Sequence, residues 1–291
     1  MLYPLATDIQ RILKGSVNPV VRGDMLDQDG EPTTTLAGTL TVNVVDPLTD
    51  ATVGDTGRVT TAPTDEGDYT QTAALTTAEA ADLGIYRVDW IDNSVTRLQT
   101  YHSIVGGMLV SRAQLKARKE LEGIPTALLD RARNWVQNLV EFQTGAAWWP
   151  QFDYYQRTLQ DGQYMDRLIL PHPWVRSVES LVIDGETQDT DDLDIDWGTG
   201  VISGVTFLGT ITVAYTHGAH GPPEDLALAA EVAAADVLTR GLSKLSERTR
   251  SVTTELGYVQ QFSFPGYDHP TGIDFVDQAI TNHDHRISGI A

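Results

Sequence analysis

Chemistry in this chain would have to come from its histidines, carboxylates, hydroxyls and cations. His217 and His220 flank a Gly-Ala pair, and His283 and His285 flank Asp284. A pair of histidines beside a carboxylate suits a divalent transition ion, because imidazole nitrogen and carboxylate oxygen are its usual ligands. Neither set carries a third ligand at a telling spacing, so surface histidines are expected and no metal site. Asp24, Asp27, Asp29 and Glu31 surround Gly30. Their spacing is not that of an EF-hand loop, and a turn is expected there. Asp189, Asp191, Asp192, Asp194 and Asp196 read as a solvated loop. Ser203 stands in Gly200-Val-Ile-Ser-Gly204, without nucleophile-elbow spacing. Lys14-Gly15 reverses the order a phosphate loop requires. Cysteine is absent, which removes thiolate ligands, thiol nucleophiles and disulfides together. The expectation is no catalytic residue, no metal and no cofactor: a chain that is not an enzyme. An acidic hydrolase fits the composition but has no motif.

Two other clusters bear on contacts rather than catalysis. Trp148, Trp149, Phe152, Tyr154 and Tyr155 form the densest aromatic stretch. Core packing is the default for it. Contact between subunits is the alternative, since aromatics are enriched at interface cores, and its candidates are Trp148, Trp149, Tyr154 and Tyr155. Arg112, Lys116, Arg118 and Lys119 gather on one predicted helix, and Arg240, Lys244, Arg248 and Arg250 follow another. They read equally as partners for acidic surfaces on neighbours and as ordinary helix-end charges.

The chain has 291 residues, enough for about two domains. With 20 basic and 40 acidic side chains its net charge is −20. Duplex DNA is normally held by neutralising its phosphates with Lys and Arg, so a groove reader or wrapping protein is not expected. Acidity keeps copies soluble and apart, and it suits a passage through which DNA slides without sticking. No apolar run approaches the ~20 residues needed to cross a bilayer. The first residues, Met1 to Lys14, lack the charged and apolar regions of a signal peptide, and none is expected. The missing cysteines fit a reducing cytosol.

The elements that would position these residues fall into a β-rich first part and a mixed second part. Thr39 to Val45 alternates with period two and is β-branched, as a half-buried strand does. Gly67-Asp-Tyr69, Gly84 to Trp90 and Val95 to Val105 begin or form further strands, with turns at Asp27 to Gly30 and Asp92 to Ser94. Such spacing predicts an antiparallel sandwich over 1–107. Its Gly-x-Tyr-x-Val-x-Trp pattern, with Tyr86 and Trp90 on one face, resembles an immunoglobulin-like domain without the cysteine pair. Gly106-Gly107 reads as a hinge. Ser111 with Gln114 predicts a capped helix, closed by Gly123. A second helix is predicted from Pro125 to Gly145, with Leu128, Leu129, Ala132, Trp135, Val136, Leu139 and Val140 as its apolar stripe. Phe152 to Gln160 and Gln163 to Leu170 read as a hairpin about Asp161-Gly162. Strands follow over Val175 to Ile183, Gly200 to Phe207 and Thr210 to Tyr215. A third helix opens at Pro222-Pro223 and runs to Leu242, and a short one is expected within Ile273 to Ile287.

Four stretches of the second part carry a resemblance. They are Val140-Glu-Phe-Gln-Thr-Gly145-Ala-Ala-Trp148; Leu168-Ile-Leu-Pro171-His-Pro-Trp-Val175-Arg-Ser-Val178 with Val182-Ile-Asp-Gly185; Val213-Ala-Tyr215-Thr-His-Gly218 with Pro223-Glu-Asp-Leu226; and Ser251 to Phe264 with Gly272-Ile-Asp274. In this order and spacing they are similar to the head-tail connector, or adaptor, family of long-tailed double-stranded DNA phages. The resemblance implies a helical bundle with a β-hairpin or small sheet over 108–245, and an extended tail over 246–291 that docks on the portal or a neighbour. It implies a homo-oligomeric ring of about twelve copies, in the virion neck. The ring would join the portal protein to the next connector (stopper) or tail protein, and genomic DNA would pass through it without sequence-specific binding. Assembly would take place in the host cytoplasm, with no membrane involved. The tail residues expected to meet the portal or an adjacent subunit are Arg248, Arg250, Tyr258, Phe262, Phe264 and Tyr267. The alternative is a particle-anchored adhesion module that uses the immunoglobulin-like part.

Overall fold

The computed structural model describes residues 10–16, 19–24, 40–47, 49–60, 70–92, 94–242, 251–253, 259–261 and 271–285. The fold is mixed α/β and strand-rich, with several sheets and four α-helices among the described residues. The contacts divide it into two compact units, each discontinuous in sequence. One comprises Met1–Gly107 and Trp149–Gly218, the other Met108–Trp148 and Ala219–Ala291.

The first unit begins with β1 (Gln10–Leu13), β2 (Val20–Asp24), β3 (Thr41–Val45), β4 (Arg58–Val59), β5 (Thr70–Ala74), β6 (Gly84–Asp92) and β7 (Val95–Val105). Five of them form a sheet in the order β1-β7-β6-β3-β4, with β1 parallel to β7 and the other pairs antiparallel. β2 and β5 pair separately. Period-two alternation sends Val42, Val44, Val88, Trp90 and Ile104 into one core, where they meet Val21 and Leu75. Glu79, in the connection before β6, is buried against the Arg58 guanidinium and the Thr76 N–H. Burial alone would raise its pKa, but these bonds hold it below the usual carboxylate range.

The same core contains a polar line. Trp90 Nε1 donates to Thr100 Oγ1 at 2.9 Å, and Thr100 Oγ1 lies 2.8 Å from His102 Nε2. A hydroxyl that accepts from the indole has its own proton free for the imidazole. This assigns the His102 proton to Nδ1, a buried atom with no hydrogen-bond partner. Burial pushes the His102 pKa down to about 3, so the ring is neutral.

The rest of the first unit is built from β8 (Gln151–Thr158), β9 (Tyr164–Met165), β10 (Leu168–Ile169), β11 (Val175–Ile183), β12 (Glu186–Gln188), β13 (Asp194–Asp196), β14 (Val201–Ser203), β15 (Phe207–Leu208) and β16 (Thr210–His217). One sheet has the order β12-β11-β16-β8, another the order β10-β14-β13, and β15 pairs with β9. The predicted Asp161-Gly162 turn is present, with Gln163 N–H donating to Gln160 O. The two strands it joins do not pair with each other, however: β8 lies along β16, and β9 along β15. Asp184-Gly185 makes the two-residue turn between β11 and β12, both residues at positive φ. Leu168, Leu181, Ile183, Ile202, Phe207, Ile211, Val213 and Tyr215 form the core beneath these sheets. Gly106 and Gly107 serve close approach. Gly106 N–H donates to Pro150 O, and a Cβ on Gly107 would run into the Trp149 indole.

The second unit holds α1 (Arg112–Ala117), α2 (Thr126–Thr144), α3 (Glu224–Leu242), the strand pair β17 (Ser251–Thr253) and β18 (Val259–Gln261), and α4 (Asp274–Asn282). Ser111 and Gln114 form the expected capping box. Pro125 precedes α2, and Gly145, at φ 67°, closes it in the left-handed conformation. α2 packs on α3, and α4 against both. The buried face of α2 carries Leu129, Ala132, Val136 and Val140. Leu128 and Trp135, which the periodicity assigns to the same stripe, point outward instead.

A neutral buried histidine makes stability depend on pH. The unfolded chain takes up a proton near pH 6.5, and the folded His102 only near 3. Stability should therefore fall as pH drops below 6.5, by up to ~1.4 kcal/mol per pH unit for this group. Urea unfolding at pH 7, 6 and 5 measures the slope. His102→Gln should lower that slope by one proton whatever its effect at pH 7, and an unchanged slope would remove His102 as its source.

Candidate functional site

The polar cluster with most chemical capacity lies at one end of the β8–β16–β11 sheet. On β16, Ile211, Val213 and Tyr215 face the core, and period two places His217 on the same side. Antiparallel pairing sets Asp153 of β8 opposite Tyr215, and Gln151 opposite His217. On the other flank, Val175 of β11 is opposite His217. The third contributor, His172, comes from the turn between β10 and β11.

Backbone constraints hold that turn. Pro171 and Pro173 fix φ on either side of His172. Trp174 has φ 58°, a costly conformation for a bulky residue. Its N–H donates to Gly198 O at 3.1 Å, and its carbonyl accepts from Gly218 N–H at 3.0 Å. Gly200, at φ 74°, leaves space that a Cβ could not share, since it would lie 2.9 Å from His172 O.

His172 Nδ1 is 2.8 Å from the Tyr215 hydroxyl and 3.3 Å from Asp153 Oδ2. The His172 and His217 rings stack with centroids 4.2 Å apart and planes 7° from parallel. His217 is buried, and its Nδ1 has no hydrogen-bond partner. Burial, then the neighbouring His172, drive the His217 pKa well below its ordinary value. Burial raises the Asp153 carboxyl, opposed by His172 and by the Tyr154 N–H. Tyr215 is raised well above the ordinary phenol value by burial, then by Asp153 and Tyr155, so it keeps its proton at neutral pH. A phenol that stays protonated is a donor for the imidazole. Asp153, His172 and His217 each offer a ligand atom, and these atoms all lie within 4.8 Å of one another. The group has the composition of a three-ligand metal site.

The histidines singled out in the sequence separate in the fold. His217 joins this cluster, while His220 is exposed. In the second unit, His283 Nε2 lies 3.0 Å from Asp225 Oδ2, and the rings of His283 and His285 both contact Trp148. The His283 bond holds the Asp225 carboxyl below its usual range. Trp148 is buried and donates to Thr144 Oγ1 at 3.2 Å. Trp149 is half-buried, its Nε1 an interior atom with no partner. Tyr155 packs on the core below the sheets, and Tyr154 meets Phe152 edge to face. Arg112 binds Asp130, and Arg118 binds Glu120 and Glu231. The aspartates of 189–196 occupy a turn and β13, where Asp196 Oδ1 accepts from Gly198 and Thr199 N–H. Ser203 bonds to Asp194. Asp24 closes β2, while Asp27, Asp29 and Glu31 lie outside the described residues. So do Lys244, Arg248, Arg250, Tyr258, Phe262, Phe264 and Tyr267. Asp153 and His172 escaped the sequence reading because their partner strand is distant in sequence. The available signal was the His-x2-Val in the turn together with the Tyr-x-His that ends β16.

No protein-family model matches the chain, and no curated protein sequence matches it.

The geometry ranks two substitutions. Gly200→Ala should destabilise by about 2 kcal/mol or more, through a strained φ and the clash with His172 O. Tyr215→Phe removes one hydrogen bond beside a ring that water can reach, and should cost only ~1 kcal/mol. Urea midpoints at neutral pH check the order.

Proposed function

We propose that this chain is a structural protein of a tailed-phage particle, the adaptor of the head-tail neck. On this reading it is not an enzyme. It forms a ring of about twelve copies between the portal protein and the next connector or tail protein, and DNA passes through it unread. The observation that carries the reading is the outer face of α2. Leu128, Trp135 and Phe142 recur every seven residues and are 41%, 44% and 74% exposed. An apolar stripe on one helix face is a contact surface in a subunit built to assemble. The family-like stretches add support: one ends α2, and two others form the β10–β11 turn and the end of β16. The net charge of −20 suits a passage lining that does not hold DNA. No helix among the described residues is long and apolar enough to cross a membrane.

The N-terminal strands support an immunoglobulin-like arrangement inside the unit they share with Trp149–Gly218. The sheet β1-β7-β6-β3-β4, with β1 parallel to β7, and the β2–β5 pair together enclose Trp90. An adhesion platform there would need exposed aromatics, whereas Trp90 is buried and Tyr86 packs on the core.

Immunogold labelling of tailed particles with antibody against this chain should decorate the head-tail junction. Label at fibre tips or on the capsid surface, or none on any particle, would overturn the proposal. The double variant Trp135→Asp, Phe142→Asp changes exposed side chains, so its stability should stay within about 1 kcal/mol of the parent. It should nevertheless fail to enter particles.

A further inference from the structure

The Asp153, His172 and His217 group invites a use that the adaptor reading does not require. The geometry points to a binding site for one divalent transition ion of the zinc class, held by the Asp153 carboxylate and one nitrogen of each imidazole. The ligand chemistry sets the class: two imidazoles and a carboxylate favour zinc-like ions over magnesium or calcium, which prefer all-oxygen shells. The spacing fits as well. Metal–ligand bonds of about 2.0–2.1 Å put the vertices of a tetrahedron about 3.3–3.4 Å apart. Asp153 Oδ2 and His172 Nδ1 are 3.3 Å apart, long for a hydrogen bond and right for that edge. His217 supplies the second observation. It is 3% exposed, and its Nδ1 is buried without a hydrogen-bond partner. Such a group costs stability unless something binds it.

Two changes are needed: His172 Nδ1 gives up the hydrogen bond from the Tyr215 hydroxyl to take the ion, and one ring moves. Stacked imidazoles have parallel lone pairs, and a shared ion needs them to converge. His172 can tilt out of the stack, because its side chain is 33% exposed and Asp153 beside it is 29% exposed. The same openness admits the ion and leaves a position for water. The three ligands come from β8, the β10–β11 turn and β16, so the ion would tie the strained Pro171–Trp174 turn to the sheet. Its role is therefore structural.

Isothermal titration of the chelator-treated full chain with Zn²⁺ at pH 7 tests the site. One ion per chain is expected, with a rise in melting temperature by mass action. Asp153→Asn and His172→Asn, checked for folding by circular dichroism, should each weaken binding about tenfold or more. His285→Ala should leave it unchanged. The site is refuted if the parent takes up no ion, if both folded variants bind as the parent does, or if His285→Ala abolishes uptake. Should the variants not fold, X-ray absorption of the zinc-loaded parent decides: two histidine ligands are expected, and one or none refutes the site.

Discussion

A strand that buries Ile211, Val213 and Tyr215 has no freedom over where it puts His217. The pleat carries the fourth residue of that face inward with the other three, and pairing on both flanks prevents a slip of register. Sliding β16 by one residue would expose three large apolar side chains, at roughly 1.5–3 kcal/mol each. The polar end of the sheet follows from that constraint. Asp153 is drawn in because β8 pairs with β16, and His172 because its turn must return the chain from β10 to β11. Apolar burial thus gathers the ionisable groups, and they settle into a mutually satisfying arrangement that leaves one nitrogen over.

Local signals were legible in the sequence wherever a few neighbouring residues settle the backbone. Ser111 with Gln114, Pro125 with Gly145, Asp184-Gly185 and Pro222-Pro223 each mark an element end that the fold reproduces. The β8 partner was not legible. The Asp161-Gly162 turn favours a hairpin, but Tyr155 and Asp153 are better placed along β16, over 50 residues away, than along the short β9. The α2 stripe was half legible. Its apolar residues cover more than one face, and a period of 3.6 says that some arc is buried without saying which. Packing on α3 and α4 buries the arc of Leu129, Val136 and Val140. The metal-like cluster escaped because its members are joined by strand register, which single-sequence spacing does not encode.

The two buried imidazoles of the first unit show two responses to one cost. His102 meets a hydroxyl that already serves Trp90, so its Nε2 is satisfied and only Nδ1 is stranded. Its register partners are Gln10 and Tyr86, and burial alone lowers its pKa. His217 also has a stranded Nδ1, but its neighbours are another imidazole and a carboxylate. The first arrangement pins a core without calling for a ligand. The second surrounds the same deficit with groups that share an affinity for one kind of ion. Context rather than the unsatisfied atom distinguishes a structural histidine from a ligand.

The outer face of α2 poses an opposing balance on the adaptor reading. Burying Trp135, Phe142 and Leu128 against a neighbour favours association in proportion to the apolar area removed. A charge of −20 on every copy opposes it, over a screening length of about 8–10 Å at ordinary ionic strength. A surface with both properties does not aggregate freely, because the repulsion acts before the short-range contacts form. It closes when a template holds copies at the contact distance, or when a basic partner neutralises part of the field. Arg112 and Arg118 do not contribute to that neutralisation from within, since they are already bound to Asp130, Glu120 and Glu231. On the adaptor reading the partner on which the copies assemble supplies the compensating charge.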